Sequence, residues 1–410
     1  MAQSPANPYS YSTLPNGLRI VHAAQKGEVE YFGVVVDAGS RDEKEHEQGL
    51  AHFVEHTIFK GTKKRRSWHI INRMESIGGE LNAYTTKEET VIYTVFPRGA
   101  LNRAAELISD LICQSVFPEG ELEKERDVVS DEINSYLDTP SEAIFDDFDE
   151  NIFAGSSMAH NILGTDSNLT GFTSEMCRGW LDSHYTPSSM ALFYSGPSSA
   201  KRVFEIAGKN FGHLSHDGSP NDRQIPPINN NFDITLDKGL HQCHTIAGAR
   251  IPGLLDKQRY AFALLVNMIG GPGMNSLLNF ELREKRGLVY TADASSALYS
   301  DCGLLTIYYG CDHDDEKQCR ELLCNTLTRL HENVTLRALE RAKKQFIGQL
   351  ALSRQNFENA VIAAGRYTLY HGAALTPSQI DDRIKSLNMD DFRQAVSYIL
   401  PDNLSFLTFK

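Results

Sequence analysis

Three side chains in the run His52-Phe53-Val54-Glu55-His56 can act together on one cation and one water. On a helix of 3.6 residues per turn, positions 52, 55 and 56 share a face. Two imidazoles one turn apart can grip a cation from the same side, and a carboxylate beside them can reach a water on it. Zinc suits the arrangement, because it takes imidazole nitrogen readily and its catalytic sites keep one position open for water. The surrounding Leu50, Ala51, Phe53, Val54 and Ile58 give the pattern of a buried helix. Two histidines leave such a site short of a protein ligand, so a distant carboxylate is required. Glu125, Asp131, Glu132, Asp138 and Glu142 all qualify by chemistry, and spacing does not choose among them.

The elements that must position these groups belong to a chain of 410 residues, long enough for two or more domains. A hydrophobic fraction of 41% and a charged fraction of 23% describe a soluble globular protein. The net charge of −13 argues against nucleic acid and anionic membrane as partners. No apolar run of spanning length is present, and the first nine residues lack the basic lead-in and apolar core of a secretory signal. The seven cysteines are odd in number, scattered, and form no Cys-x-x-Cys pair. Reduced thiols and a cytoplasmic location are therefore expected.

Residues 1–12 read as a loose tail. Strand-like runs follow at Leu18–His22 and Tyr31–Asp37, and Gly61-Thr62 closes the His52 helix. Ser67 can cap a helix running to Ile77, stopped by Gly78-Gly79. Leu81–Tyr84 and Thr90–Phe96 read as adjoining strands, and amphipathic helices are expected near 100–115 and 119–137. Beyond an acidic, aromatic segment at Glu142–Glu150 come a helix near 173–184, a strand at Met190–Tyr194 and a helix near 200–210. The His, Asp, Gly, Ser, Pro and Asn composition of 213–231 marks a linker. The pattern then restarts, with strands near 232–250, 288–297 and 303–310 and helices near 255–269, 314–332 and 335–353. Placing Leu122-Glu123 over Leu339-Glu340 sets Glu125 on Ala342 and Glu132 on Gln349, and the helix near 255–269 has no histidine. The chain reads as a duplication whose second copy lacks the metal chemistry: domains at 1–212 and 232–410 joined by 213–231.

His-x-x-Glu-His is the inverzincin signature. It stands in Gly49-Leu-Ala-His52-Phe-Val-Glu55-His56-Thr-Ile-Phe-Lys-Gly61-Thr62. With Gly78-Gly79-Glu-Leu-Asn82-Ala83-Tyr84-Thr85 and Glu125-Arg-Asp-Val-Val-Ser-Asp-Glu132, the chain resembles the M16 metallopeptidases over nearly its whole length. It is most similar to the short bacterial type related to the mitochondrial processing peptidase beta subunit. The resemblance implies an α+β fold of two duplicated domains, each a mostly antiparallel sheet packed with helices, as in LuxS- and processing-peptidase-like metallohydrolases. It implies one zinc ion per chain held by His52, His56 and Glu132, with Glu125 orienting one of the histidines. Glu55 is then the general base toward a zinc-activated water. Leu282-Arg283-Glu-Lys-Arg-Gly-Leu-Val-Tyr290 resembles the family's Arg/Tyr pair, with Arg283 holding substrate carbonyls and Tyr290 stabilising the oxyanion. Asn82, Ala83 and Tyr84 would lie on an edge strand that accepts an extended peptide as an added strand. The implied activity is endopeptidase cleavage of short or unfolded peptides within an enclosed chamber. Both motifs in one chain make a homodimer the economical assembly. A family member that had lost the metal would serve instead as a scaffold, but His52, Glu55, His56 and Glu132 are all present.

Other metal-capable runs read as ordinary structure. His241-Gln-Cys243-His244 and Cys311-Asp-His313 sit among strand and turn residues, and Gly270-Gly-Pro-Gly lacks the Gly-Lys-Ser/Thr ending of a phosphate loop.

Overall fold

The computed structural model describes residues 7–215 and 221–410. The tail expected at 1–12 lies partly outside these, as does the 216–220 portion of the expected linker. The first half runs β1 (Tyr9–Thr13), β2 (Arg19–Ala24), β3 (Val29–Val36), α1 (Leu50–Thr57), α2 (Ser67–Glu75), β4 (Glu80–Thr85) and β5 (Thr90–Pro97). It continues with α3 (Leu101–Gln114), α4 (Glu119–Leu137), α5 (Pro140–Ile152), α6 (Asp166–Leu169), α7 (Ser174–His184), β6 (Met190–Gly196) and α8 (Ala200–Phe211). After the linker come β7 (Asp233–Leu236), β8 (Cys243–Ile251), α9 (Arg259–Gly270), β9 (Val289–Leu298), β10 (Gly303–Cys311), α10 (Glu316–Asn333) and α11 (Leu336–Ser353). The chain ends with α12 (Phe357–His371), α13 (Pro377–Ser386), α14 (Met389–Ser397) and β11 (Ser405–Phe409).

The described strands form two sheets. One has six strands in the order β1-β2-β6-β3-β5-β4, and the other has five in the order β7-β11-β8-β10-β9. Each contains a single parallel pair, β2 with β6 and β7 with β11, and the other pairs are antiparallel. Without β1 the two sheets match strand for strand in order and direction. The expected duplication and mostly antiparallel α+β class are what the structure has.

Two local expectations are corrected, and one segment left without an element gains one. Tyr9–Thr13 is no tail: it pairs antiparallel with β2 as an extra edge strand. Ser67 begins α2 instead of capping it; Arg66 holds the cap position, with no side-chain cap bond. The acidic stretch at 142–150 is helical, because its Ile144, Phe148 and Ile152 recur at helical spacing and are buried.

The compact units are not separated by a cut at 213–231. One comprises Met1–Ile133, His160–Arg223 and Arg354–Pro377; the other comprises Asn134–Ala159, Gln224–Ser353 and Ser378–Lys410. The reason is that both sheets are apolar on two faces. In the first unit, one face of the sheet carries Ile20, Phe32, Val34, Ile92 and Leu192 against the unit's own helices. The other face carries Val21, Val35, Val91 and Phe193, and is covered by Val361, Ile362, Ala364 and Leu369 of α12. In the second unit, Ile246, Leu304, Leu407 and Phe409 are covered by Ile144, Phe148 and Ile152 of α5. Each half of the chain thus supplies a covering helix to the unit built mainly by the other half. Both faces of β6 are occupied, which is why all seven of its residues are buried.

Gly365 shows how closely α12 approaches its sheet. A Cβ there would lie 2.9 Å from Phe193 Cδ1 and 3.0 Å from Val35 Cγ2. Gly365→Val should therefore overpack this face and destabilise the first unit by roughly 1–3 kcal/mol. A urea titration would show a lower midpoint, and an unchanged midpoint would mean that α12 does not seat there.

Candidate metal centre and active site

α1 is short and almost wholly apolar outside its functional positions. Leu50, Ala51, Phe53, Val54 and Thr57 are buried together with His52, and the Phe53 ring meets Phe172 at 5.5 Å between centroids. This packing fixes the rotation of α1. His52 and His56 then lie side by side, with ring centroids 4.5 Å apart. α4 supplies the acidic groups. Its buried positions are Leu122, Glu125 and Val129, and Glu132 falls on the same face two turns beyond Glu125.

Glu132 Oε2 lies 3.7 Å from His52 Nε2 and 3.4 Å from His56 Nε2. Ligand atoms of His52, His56 and Glu132 all lie within 4.8 Å of one another, the one such group able to hold a metal ion among the described residues. His56 Nδ1 donates to Glu125 Oε1 at 3.0 Å, which directs the Nε2 lone pair toward the cluster. Of the two histidines that Glu125 could have oriented, it holds His56. His52 Nδ1 is buried and has no partner. The donor set fits a divalent metal such as zinc: two imidazoles and a carboxylate, with room for a fourth ligand.

The electrostatics agree. Burial, with His56 alongside, holds His52 down to about 3, so its ring is neutral and keeps a lone pair to donate. Burial also works against charge on His56, but the Glu125 hydrogen bond and the carboxylates of Glu55 and Glu132 outweigh it and leave that group raised. Glu125 would be raised by burial, yet hydrogen bonds from His56 and Lys60 hold it below its ordinary value. Burial raises Glu55, opposed by His56 and by the Thr85 hydroxyl, which donates to Glu55 Oε2 at 3.3 Å.

Two of these contacts had no role in the sequence reading. Lys60 Nζ pairs with Glu125 Oε2 at 2.6 Å; it follows His56 by four residues, and that spacing is the signal that could have found it. Thr85 ends the strand that carries Asn82, Ala83 and Tyr84. Those three lie on β4, an edge of the six-stranded sheet that pairs only with β5 among the described strands. Arg283 and Tyr290 belong to the second unit. Arg283 lies in a π-helical turn at Asn279–Glu284, and Tyr290 lies on β9, the edge strand matching β4. The Arg283 guanidinium sits 5.6 Å from the Tyr290 ring centroid, and Tyr290 is 84% exposed.

Residues 19–166 match the family "Insulinase (Peptidase family M16)", and residues 171–346 match "Peptidase M16 inactive domain". The chain is 30% identical over 380 residues to "Uncharacterized zinc protease YmxG" of Bacillus subtilis, covering 92% of each chain. The chain belongs to the M16 peptidase family. Another relative, an "Uncharacterized zinc protease" of Rickettsia felis, is 29% identical and covers 93% of each chain. The M16 fold itself is matched by a protease from Helicobacter pylori, with a TM-score of 0.88 at 20% identity over 98% of this chain and 100% of that one. The "putative M16-like peptidase from Alicyclobacillus acidocaldarius" superposes with a TM-score of 0.87 at 20% identity, over 100% of this chain and 99% of that one.

In the metal-free protein, His56 should titrate above 6.5. A raised folded value means that its contribution to stability is complete below the unfolded pKa and is lost as pH rises through the folded one. Glu125→Gln removes the charged partner and should bring the His56 titration down, read by NMR of the ring protons. An unmoved titration would show that Glu125 does not hold the ring.

Proposed function

We propose that this chain is a zinc-dependent endopeptidase acting on short or unfolded peptides, with one zinc held by His52, His56 and Glu132. The observation that supports this best is the convergence of those three donors beside the buried carboxylate of Glu55. The names of the relatives, zinc proteases, point the same way. When bound, zinc supplies Lewis-acid polarisation of a peptide carbonyl and makes a water acidic near neutral pH. Glu55 takes the proton of the attacking water on its carboxylate and returns it to the leaving amine. Thr85 steadies Glu55 through its hydroxyl, and Glu125 keeps the His56 ring oriented.

Substrate binding is assigned to the free edge of β4. Main-chain bonds to Asn82, Ala83 and Tyr84 would add an extended peptide as a further strand, which favours unfolded substrates. Following the family resemblance, Arg283 is assigned to substrate carbonyls and Tyr290 to the oxyanion. A homodimer enclosing a chamber fits a chain that carries both motifs. A cytoplasmic site of action fits seven cysteines that form no disulfide bond among the described residues.

Glu55→Gln should retain about one zinc per chain, read by elemental analysis, while turnover of a quenched peptide library falls by roughly 10²- to 10⁴-fold. His52→Ala should lose the metal and the activity together. Wild-type cleavage should vanish with chelator and return with zinc. Absence of both metal and cleavage would instead favour a non-catalytic scaffold. Sedimentation at micromolar concentration should give the mass of two chains, and a monomer would remove the dimer from the proposal.

A further inference from the structure

Glu43 lies outside every motif discussed above, yet it grips the start of the metal-bearing helix. Its side chain is fully buried. Oε2 accepts from the backbone amide of Gly49 at 2.9 Å, and Oε1 accepts from that of Ala51 at 2.7 Å. His160 Nε2–H donates to the same Oε2 at 2.9 Å. The first amides of a helix have no partner inside it, and a carboxylate there also meets the positive end of the helix dipole. A cap normally comes from the residue at the cap position, but here that residue is Gly49.

Gly49 has no freedom to become a serine or aspartate. Its φ is +97°, and a Cβ would come within 2.7 Å of the Leu163 carbonyl oxygen. Gly164 faces it, with a Cβ position 2.7 Å from Gly49 Cα. Leu163-Gly164 is thus pressed backbone to backbone on Gln48-Gly49 at the entry to α1. The capping charge arrives from six residues upstream.

The same groups also reach the turn between β4 and β5. The His160 carbonyl accepts from Lys87 Nζ at 3.0 Å. The amides of Ser40 and Arg41 donate to the carbonyls of Thr86 and Lys87 at 3.1 and 2.7 Å, and the Arg41 guanidinium pairs with Glu88 at 2.5 Å. Residues 39–43 therefore run as a strut from that turn to the first amides of α1. Thr85, where the turn leaves β4, is the residue that donates to Glu55. Burial pushes the Glu43 carboxyl up to about 7 in spite of its donors, a cost that an exposed cap would avoid.

We infer that Glu43 and His160 are positioning residues that fix α1 along its axis relative to the β4–β5 turn, and so hold His52, Glu55 and His56 in register with the strand edge. The part concerning substrate rests on the peptidase reading above; the part concerning the metal does not. A displacement of about 1 Å can cost on the order of 10² in rate, and loss of a group supporting metal ligands about 10- to 100-fold in metal affinity.

The test compares Glu43→Ala, Glu43→Gln and His160→Ala in the full chain. Zinc affinity is read by competition with a chromophoric chelator, and kcat and KM are read on a quenched peptide. Glu43→Ala should weaken zinc about 10- to 100-fold and lower kcat about 10²-fold at nearly constant KM. Glu43→Gln, whose one carbonyl oxygen still accepts an amide while its NH2 faces the other donor, should recover part of both, and His160→Ala should also be milder than the alanine at 43. A Glu43→Ala protein with wild-type zinc affinity and wild-type kcat per bound zinc, whatever its melting temperature, overturns the inference, as does a Glu43→Gln protein no better than the alanine. Should the alanine variant not fold, the glutamine and His160 variants decide. A wild-type protein that binds zinc but cleaves nothing defeats the peptidase reading, while the affinity measurements still judge Glu43.

Discussion

The 3.0 Å hydrogen bond between His56 and Glu125 is the contact from which the rest of the site takes its geometry. α4 is a polar helix with few buried positions, so an apolar stripe does little to set its rotation against α1. A nearly buried carboxylate does that work. Left without partners, Glu125 would be an uncompensated charge, and breaking such a pair costs far more than forming it gains. His56 and Lys60, one turn apart, both meet it. With α4 pinned at Glu125, two further turns bring Glu132 to the histidines without any additional device.

A second layer of buried charge joins segments distant in the chain. Arg223, just past the undescribed residues, pairs with Asp37 and Asp42, each at 2.7 Å. Arg366 of α12 pairs with Glu89 at 2.5 Å, and Tyr370 donates to Asp37 at 3.2 Å. These bonds land on Asp37, Asp42 and Glu89, beside or within the strut and on the turn from which it runs. Apolar burial would tolerate several placements of α12 on a flat sheet face. Directional ion pairs in a low-dielectric interior tolerate few, so they act more on register than on net stability.

What the sequence revealed depended on range. α1 was legible because apolar periodicity and the histidine spacing lie within eight residues. Most strands and long helices were legible for the same reason. Glu132 was not: five carboxylates met the chemical requirement, and only family resemblance separated them. The covering helices α5 and α12 were missed as parts of the opposite unit, since nothing local in Pro140–Ile152 or Phe357–His371 says which sheet it will cover. Glu43 was invisible for a related reason. It reads as one acid in a polar stretch, and its role appears only when Gly49 is seen to have no space for a side chain.

The duplication explains what each unit can dispense with. α4 and α11 align end to end on the register that sets Glu125 on Ala342 and Glu132 on Gln349. Both carboxylates are therefore absent from α11, along with the histidines from α9. Gln349 has the side-chain length of the Glu132 that it matches, and its buried Oε1 has no partner. The edge strands diverge in the opposite sense. On β4 the residues from Leu81 to Thr85 are all half-buried, whereas β9 exposes the large ring of Tyr290 at its start. A tyrosine that contributed only to the core would be covered, as Tyr309 on the neighbouring β10 is. The second unit thus has no counterparts of His52, His56, Glu125 and Glu132 at the matching positions, while the start of its edge strand presents an exposed aromatic hydroxyl with the Arg283 guanidinium beside its ring.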